Sequence, residues 1–147
     1  MMKILLFLLA FTLTVYPLVA EAGYFMSLKS NEVNLRIGPG TGYPVKFTYI
    51  KSKVPVYVIE ELGAWKKVKD VDGDEGWINS KLLSQNVYVI STHETAGYKY
   101  PNITAKQLVK IEKFAIIKLI KTDKDWILVK NNNKTFWVRE LDFWGIL

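Results

Sequence analysis

Residues 33–45 read VNLRIGPGTGYPV, and this stretch decides the fold of the first half of the chain. Its first five residues alternate in polarity and predict a short strand with Leu35 and Ile37 on one face and Arg36 on the other. Three glycines and two prolines follow within seven residues. They predict a tight loop, because glycine permits positive φ and Pro39 stiffens the backbone. The stretch therefore reads as a strand that runs into a constrained loop.

Further strand-forming runs follow this loop. Lys53–Ile59 alternates between valines and other residues, and Trp65–Lys69 is a second short run. A polar segment over 70–76 is dense in Asp and Gly and predicts a hairpin turn, after which Trp77-Ile78 resumes a strand. No stretch has a long amphipathic helical period. Short strands at this spacing predict an all-β protein built as a small barrel or sandwich.

The second half of the chain repeats this scheme in weaker form. The acidic turn is replaced by Asn131–Lys134, and the two tryptophans that flank it are almost equally spaced in both halves. The pattern predicts an internal duplication, with a first domain over 23–85 and a second, divergent domain over 86–147. The matching segments are Val54–Ile59 with Ala115–Ile120, Trp65–Lys69 with Trp126–Lys130, and Gly76–Ile78 with Phe136–Val138.

An ordered set of motifs in the first half resembles the bacterial SH3 domain family. The resemblance implies that the first domain is a small SH3-like β-barrel, and the duplication extends this expectation to the second as a tandem arrangement. The second half lacks the Asn-Leu-Arg and Gly-Pro signature, and His93–Pro101 stands in its place. The motifs that carry the resemblance are Asn34-Leu35-Arg36, Gly38-Pro39-Gly40, Tyr43-Pro44-Val45, Trp65-x-x-Val68, Gly76-Trp77-Ile78 and Leu82-Leu83.

The N-terminus has the pattern of an export signal. A short positive start at Lys3 precedes an almost wholly apolar run from Ile4 to Val19, and Ala20-Glu21-Ala22 supplies small residues at the two positions that a signal peptidase reads. We expect residues 1–22 to be a signal peptide, with a retained membrane anchor as the alternative. An exported protein would be periplasmic or associated with the cell envelope. It would meet no nucleic acid and would contact the membrane only during export.

The composition excludes several kinds of site. The chain contains no cysteine, which removes disulfides, thiolate metal sites, a cysteine nucleophile and a lipid-modified cysteine. Its net charge of +6 favours anionic partners, so the basic second domain is expected to help hold an anionic envelope polymer. No cofactor is expected.

Two patterns resemble metal-binding or hydrolytic sites, but neither has all the residues that such a site requires. Asp70-x-Asp72-x-Asp74 resembles the start of a calcium loop, but Glu75 and Lys81 occupy the positions that require Gly and Glu, so a polar turn is favoured. The single histidine, His93, has no second histidine or cysteine beside which it could bind a metal. It could also act with Ser91 or Thr92 and Glu94, but neighbours along a strand point to opposite faces. The sequence therefore predicts no metal and no catalytic site.

Each of the remaining polar and aromatic residues has two possible roles: it stabilises the fold, or it binds a ligand. Arg36 either pins its loop or contacts an anionic ligand, and the tryptophans at 65, 77, 126 and 137 are expected in the core. Tyrosines are the better candidates for an exposed groove that stacks on sugars or peptide, and the solvent-facing alternative stays open. The candidate groove tyrosines are Tyr43, Tyr49, Tyr57 and, in the second domain, Tyr98.

The resemblance to bacterial SH3 domains implies a function. It implies a non-catalytic envelope protein that binds peptidoglycan or its peptide stems, with Arg36, Tyr43, Tyr49 and Tyr57 at the binding surface. An interaction adaptor that docks an envelope enzyme or receptor is the alternative. The motif residues Asn34, Leu35, Gly38, Pro39, Gly40, Trp65, Gly76 and Trp77 are expected to maintain the fold.

Overall fold

The computed structural model describes residues 23–147, so the predicted signal peptide lies outside the described residues. Two seven-stranded antiparallel sheets form this part of the chain, and it contains no α-helix, which confirms the all-β prediction. A short 3₁₀ turn precedes the last strand of each sheet, at Ser80–Leu82 and Glu140–Asp142. The strands are β1 Tyr24–Leu28, β2 Val33–Arg36, β3 Val45–Tyr49, β4 Pro55–Leu62, β5 Trp65–Lys69, β6 Glu75–Asn79, β7 Leu83–Ser84, β8 Tyr88–Ser91, β9 Thr95–Tyr98, β10 Gln107–Ile111, β11 Ile116–Asp123, β12 Trp126–Asn131, β13 Lys134–Arg139 and β14 Phe143–Trp144.

The two sheets share one topology. The first has the strand order β3-β2-β6-β5-β4-β1-β7, and the second has β10-β9-β13-β12-β11-β8-β14, which is the same order shifted by seven strands. The repeat that the sequence predicts therefore has a structural counterpart. The chain leaves the first sheet at Ser84 and enters the second at Tyr88, and the predicted boundary between 85 and 86 falls in this connection.

Each sheet has its own hydrophobic core, built from the alternating apolar residues of its strands. In the first, Val33 and Leu35 point inward from β2 and are almost fully buried, while Asn34 and Arg36 lie on the opposite face. Burying such a side chain stabilises the fold by about 1.5–3 kcal/mol. The first core comprises Met26, Leu28, Val33, Leu35, Val56, Val58, Val68, Ile78 and Leu83, and the second comprises Val89, Ile111, Ile117, Ile127, Val129, Phe136, Val138 and Phe143.

The prediction that Ile37 shares a strand face with Leu35 is wrong. Strand β2 ends at Arg36, and its pairing register with β3 shifts between Leu35 and Arg36. The extra residue at this shift lies on β3, and the alternation of β2 stops where the strand ends at Arg36. Ile37 therefore does not follow Leu35 into the core and is 60% exposed. The backbone N–H of Ile37 instead donates to the carbonyl of Pro44 and closes the glycine-rich loop.

The two units contact each other directly. The ring of Phe25 on β1 packs edge-on against Trp144 on β14, with 4.8 Å between ring centroids. The Ser27 hydroxyl donates to the carbonyl of Asn86 at 2.7 Å, and the Lys53 ammonium lies 5.7 Å from the centroid of the Tyr88 ring. The connection is thus held by an aromatic contact, a hydrogen bond and a cation–π contact.

Candidate functional site

The Arg36 side chain holds the loop that follows its own strand. Its Nη1 donates to the carbonyl oxygens of Thr41 and Tyr43 at 3.1 and 2.8 Å. The Tyr43 ring covers the loop from the other direction, since a Cβ atom on Gly38 would lie 2.3 Å from Tyr43 Cδ1. The expected reason for the loop glycines is wrong, since none of the three in residues 38–42 has a positive φ. Glycine is required at Gly38 instead by close approach of an aromatic ring. These contacts are those of the loop-pinning role, and they leave Arg36 Nε and Nη2 without an acceptor in the part of the chain that the structure describes.

A shallow cleft opens beside this loop in the first unit. Its volume is about 300 Å³. Asn34 and Arg36 reach it from the outward face of β2, while Trp65 on β5 lies directly opposite Asn79 on β6. The cleft is lined by Glu32, Asn34, Arg36, Thr41, Trp65, Asn79 and Leu82.

Several polar groups of the cleft keep unused hydrogen-bonding capacity. Asn34 Oδ1 accepts from the Thr48 hydroxyl at 2.7 Å, and Asn79 Oδ1 accepts from the backbone N–H of Lys81 at 3.1 Å. These bonds fix both side-chain amides and leave their NH₂ groups without a protein acceptor among residues 23–147. The Glu32 carboxylate belongs to no ion pair in the same range. The cleft thus combines hydrogen-bond donors with the carboxylate of Glu32, beside the half-buried indole of Trp65.

The three predicted tyrosines of the first unit lie in separate places and line no part of this cleft. Tyr43 covers the loop, and Tyr57 packs against Phe25 with 5.0 Å between ring centroids. Tyr49 donates its hydroxyl to Asp70 Oδ2 at 2.9 Å. Burial and the negative charge of Asp70 raise the pKa of Tyr49 well above its ordinary value. Only Arg36 of the four predicted binding residues reaches the cleft, and a ligand-binding role for the tyrosines stays a prediction.

The expectation of core tryptophans is wrong for three of the four. Trp77 is buried, with 8% exposure, but it stands outside the core cluster of the first sheet. Trp65, Trp126 and Trp137 are half-buried. The reason is register: in the first hairpin the core positions are held by Val68 and Ile78, so Trp65 and Trp77 lie on the other face of the strands.

The acidic segment 70–74 forms a capped hairpin turn. Asp70 is buried and its Oδ1 accepts from the backbone N–H groups of Asp72 and Asp74 at 3.0 and 2.9 Å. Gly73 has φ of +89°, which the turn requires. Among the described residues no cluster of three His, Cys, Asp or Glu side chains could hold a metal ion. Asp70 therefore orders the turn through Oδ1, while its Oδ2 accepts from Tyr49.

The second unit fills the place that corresponds to the cleft. Tyr98 pairs with Trp137 as Arg36 pairs with Trp77, so Tyr98 occupies the position of Arg36. Its ring packs edge-on against Trp126, with 5.7 Å between centroids. Aromatic packing thus replaces the guanidinium that borders the first cleft.

A buried carboxylate closes the rest of this region. Asp142, in the second 3₁₀ turn at the position of Leu82, has a fully buried side chain. Arg139 donates to both of its oxygens at 3.1 Å, and Thr95 Oγ1 donates at 2.6 Å. His93 Nε2 lies 2.9 Å from Asp142 Oδ1. Charge pairing and hydrogen bonds therefore satisfy a carboxylate where the first unit has a leucine.

The argument from strand alternation that separated His93 from its neighbours is wrong. Strand β8 ends at Ser91, so Thr92 and His93 lie in a loop, and Thr92 Oγ1 is 3.0 Å from His93 Nδ1. His93 is about half exposed, with 52% of its side chain accessible. Thr92 Oγ1 also donates to the Asp142 carbonyl at 3.1 Å, and Arg139 neutralises the carboxylate. The cluster ties the loop to the 3₁₀ turn.

Sequence reasoning missed Glu32, Thr41, Asn79 and Leu82 as parts of a site. Two features of the sequence could have identified Glu32 and Asn79. Glu32, Asn34 and Arg36 are spaced by two residues, the period of one strand face. The acidic turn is the centre of a hairpin, and counting outward from it along both strands places Trp65 opposite Asn79. The loop residue Thr41 has no such periodic signal.

Comparison with known proteins finds a family match for the first unit. Residues 29–85 match the family model described as bacterial SH3 domain, which confirms the resemblance seen in the sequence for this segment. No curated protein matches the chain. Within residues 23–147, no helix is long and apolar enough to cross a membrane.

Solved structures give distant similarities. NlpC2 from Trichomonas vaginalis aligns at 11% identity and a TM-score of 0.38, covering 84% of this chain and 48% of that one. NlpC1 from the same organism aligns at 10% identity and a TM-score of 0.37, covering 85% and 46%. An NlpC/P60 family protein from Bacillus cereus aligns at 16% identity and a TM-score of 0.37, covering 82% and 55%. The chain spans about half the length of these structures.

Proposed function

Taking residues 29–85 as a bacterial SH3 domain, we propose that the protein is a non-catalytic component of the cell envelope that binds the peptide stems of peptidoglycan in the cleft of the first unit. The observation that carries this proposal is the cleft itself. It is open in the unit that bears the family signature and filled at the corresponding place in the other unit.

The polar groups of the cleft suit a zwitterionic peptide. Arg36 Nη2 and the amide groups of Asn34 and Asn79 can donate to a carboxylate or to peptide carbonyls. The unpaired Glu32 carboxylate can accept from an ammonium group. Stem peptides carry both carboxylates and amines, so the two charge types of the cleft have matching partners on one ligand. The half-buried face of Trp65 offers apolar area between them.

The second unit has a different task in this proposal. Its corresponding region is closed by the Tyr98–Trp126 contact and the Arg139–Asp142 pair, so it offers no second stem site of this kind. Its contact with the first unit through Trp144 and Phe25 gives the binding unit a fixed neighbour. One chain therefore binds one stem.

Co-sedimentation with purified sacculi tests the proposal. The sacculi are first stripped of phosphate-bearing polymers, and the salt is moderate. Glu32→Gln is the informative variant, because the exposed Glu32 side chain makes no ion pair in the described structure and its loss leaves the fold intact. Glu60→Gln, at another exposed glutamate, is the matched control.

We expect the protein to co-sediment, Glu32→Gln to weaken binding by roughly tenfold, and Glu60→Gln to leave it unchanged. Absence of co-sedimentation, or equal binding by both variants, would overturn the assignment of the cleft. Clearing of the sacculus suspension by the purified protein would show that it is catalytic.

A further inference from the structure

A second cleft lies at the junction of the two units, and its charge is of one sign. Its volume is about 300 Å³. Lys53 comes from the first unit, and the other lining residues come from the second. No acidic residue is among them. The cleft is lined by Lys53, Tyr88, Ile116, Lys118, Lys130, Asn131 and Asn132.

Strand register places two of these lysines side by side. Lys118 on β11 pairs directly with Lys130 on β12 and, on its other edge, with Tyr88 on β8. Directly opposed residues of antiparallel strands share a face at a Cβ separation of about 5 Å, and like charges there are destabilising. The sheet therefore keeps a repulsive pair on the wall of a cleft.

The third lysine is brought to the same place by the first unit. Lys53 adopts a left-handed backbone with φ of +66°, and its N–H donates to the Leu28 carbonyl at 2.8 Å. Its ammonium lies 5.7 Å from the centroid of the Tyr88 ring. A non-glycine residue in this conformation is uncommon and is held by its surroundings. The junction thus adds a positive charge to a pair that already repels.

No carboxylate within residues 23–147 pairs with any of the three ammonium groups. The ion pairs of the described residues involve other lysines, namely Lys46, Lys66, Lys67, Lys69 and Lys110. Two asparagine side chains add neutral donors at the rim: Asn131 at the end of β12 and Asn132 in the β12–β13 turn. Three unpaired cations and two amides around one concavity form a site for an anion.

We propose that this junction cleft binds phosphate groups of a phosphate or phosphodiester ligand. Lysine ammonium groups act as point charges and suit the several oxygens of a phosphate, whereas the paired, planar geometry that arginine offers to a carboxylate is missing from the lining. Because one lysine comes from the first unit and two from the second, the site exists only when both units are in place. The inference is independent of stem binding in the first cleft.

Titration calorimetry at low ionic strength with inorganic tripolyphosphate tests this site on the purified protein. Lys118→Gln/Lys130→Gln removes the paired charges. Lys51→Gln/Lys106→Gln is the matched control, because it removes two charges from exposed lysines outside the cleft. Lys118→Arg/Lys130→Arg keeps the charge.

We expect the cleft variant to weaken tripolyphosphate binding by roughly tenfold or more and the control to stay within about twofold of the unaltered protein. The arginine variant should retain most of the binding, and citrate should bind more weakly than tripolyphosphate. The unfolding temperature of the cleft variant should be equal to or above that of the unaltered protein, since a repulsive pair is removed.

Equal weakening by the cleft and control variants would show diffuse charge attraction and overturn the proposal. Absence of tripolyphosphate binding at low ionic strength would also overturn it. Glu32→Gln should leave tripolyphosphate binding intact, so failure of this site and failure of the stem site give different results.

Discussion

Gly97 on β9 lies against Phe136 on β13, and a Cβ atom on the glycine would be only 2.3 Å from Phe136 Cδ2. In the first unit the corresponding positions hold Leu35 and Gly76, and a Cβ atom on Gly76 would be 2.6 Å from Leu35 Cγ. The large and the small residue have therefore exchanged strands between the two units. The same core volume is filled from β2 in one unit and from β13 in the other.

This exchange predicts that Gly97→Ala is destabilising. The added methyl group meets the edge of a packed aromatic ring, so we expect a loss of about 1–3 kcal/mol in the free energy of unfolding, measured in denaturant. Gly42→Ala is the control, because nothing lies within 4 Å of its Cβ position. A Gly97→Ala protein as stable as the Gly42→Ala protein would contradict the packing described.

The buried carboxylate of the second unit predicts a second stability effect. Asp142→Asn keeps the shape of the side chain but removes the charge that Arg139 pairs with, so we expect a loss of about 3 kcal/mol. Asp125→Asn, at an exposed aspartate, should change the free energy of unfolding little. If thermal unfolding shows the two variants to be equally stable, the network does not hold the 3₁₀ turn.

Because Tyr49 has a raised pKa, we expect the free energy of unfolding to fall at alkaline pH. Its pKa is raised in the folded protein by burial and by Asp70, so its contribution is fully present below the unfolded pKa of about 10 and is lost as the pH rises above it. Tyr49→Phe should lower stability near neutral pH by about 1 kcal/mol through the lost hydrogen bond and should flatten the decline above about pH 10. Denaturant unfolding across that range checks both effects, and an unchanged slope would contradict the assignment.

Export predicts a defined N-terminus. We expect the protein recovered from the envelope to begin at Gly23, after removal of residues 1–22. Intact-mass measurement checks this. A mass that includes Lys3 and the apolar run would instead support a retained anchor.

The sequence predicted the strands better than it predicted the site. Strand alternation separated Leu35 from Arg36 and grouped Val56 with Val58, and the structure buries these three apolar side chains, because burial imposes a period of two. The end of β2 at Arg36 and the register shift opposite it on β3 escaped prediction, since both depend on the partner strand rather than on local composition. Ile37 was consequently assigned to the wrong face.

The tyrosines show the same limit for function. Aromatic residues on short strands are chemically suitable for a groove, but whether they meet is decided by strand order. Here Tyr43, Tyr49 and Tyr57 belong to the loop, the acidic turn and the contact with Phe25. The open cleft includes Glu32 and Asn79 instead. Residue spacing gives their places on their own strands, but it does not show that these strands meet beside the Arg36 loop.

The most direct test of stem binding in the first unit is an NMR titration of the ¹⁵N-labelled protein with a soluble, phosphate-free muropeptide. We predict that the side-chain amide signals of Asn34 and Asn79 and the indole N–H of Trp65 shift together as the muropeptide is added, while the indole of Trp126 does not. Shifts confined to the second unit, or no shifts at saturating muropeptide, would contradict the account.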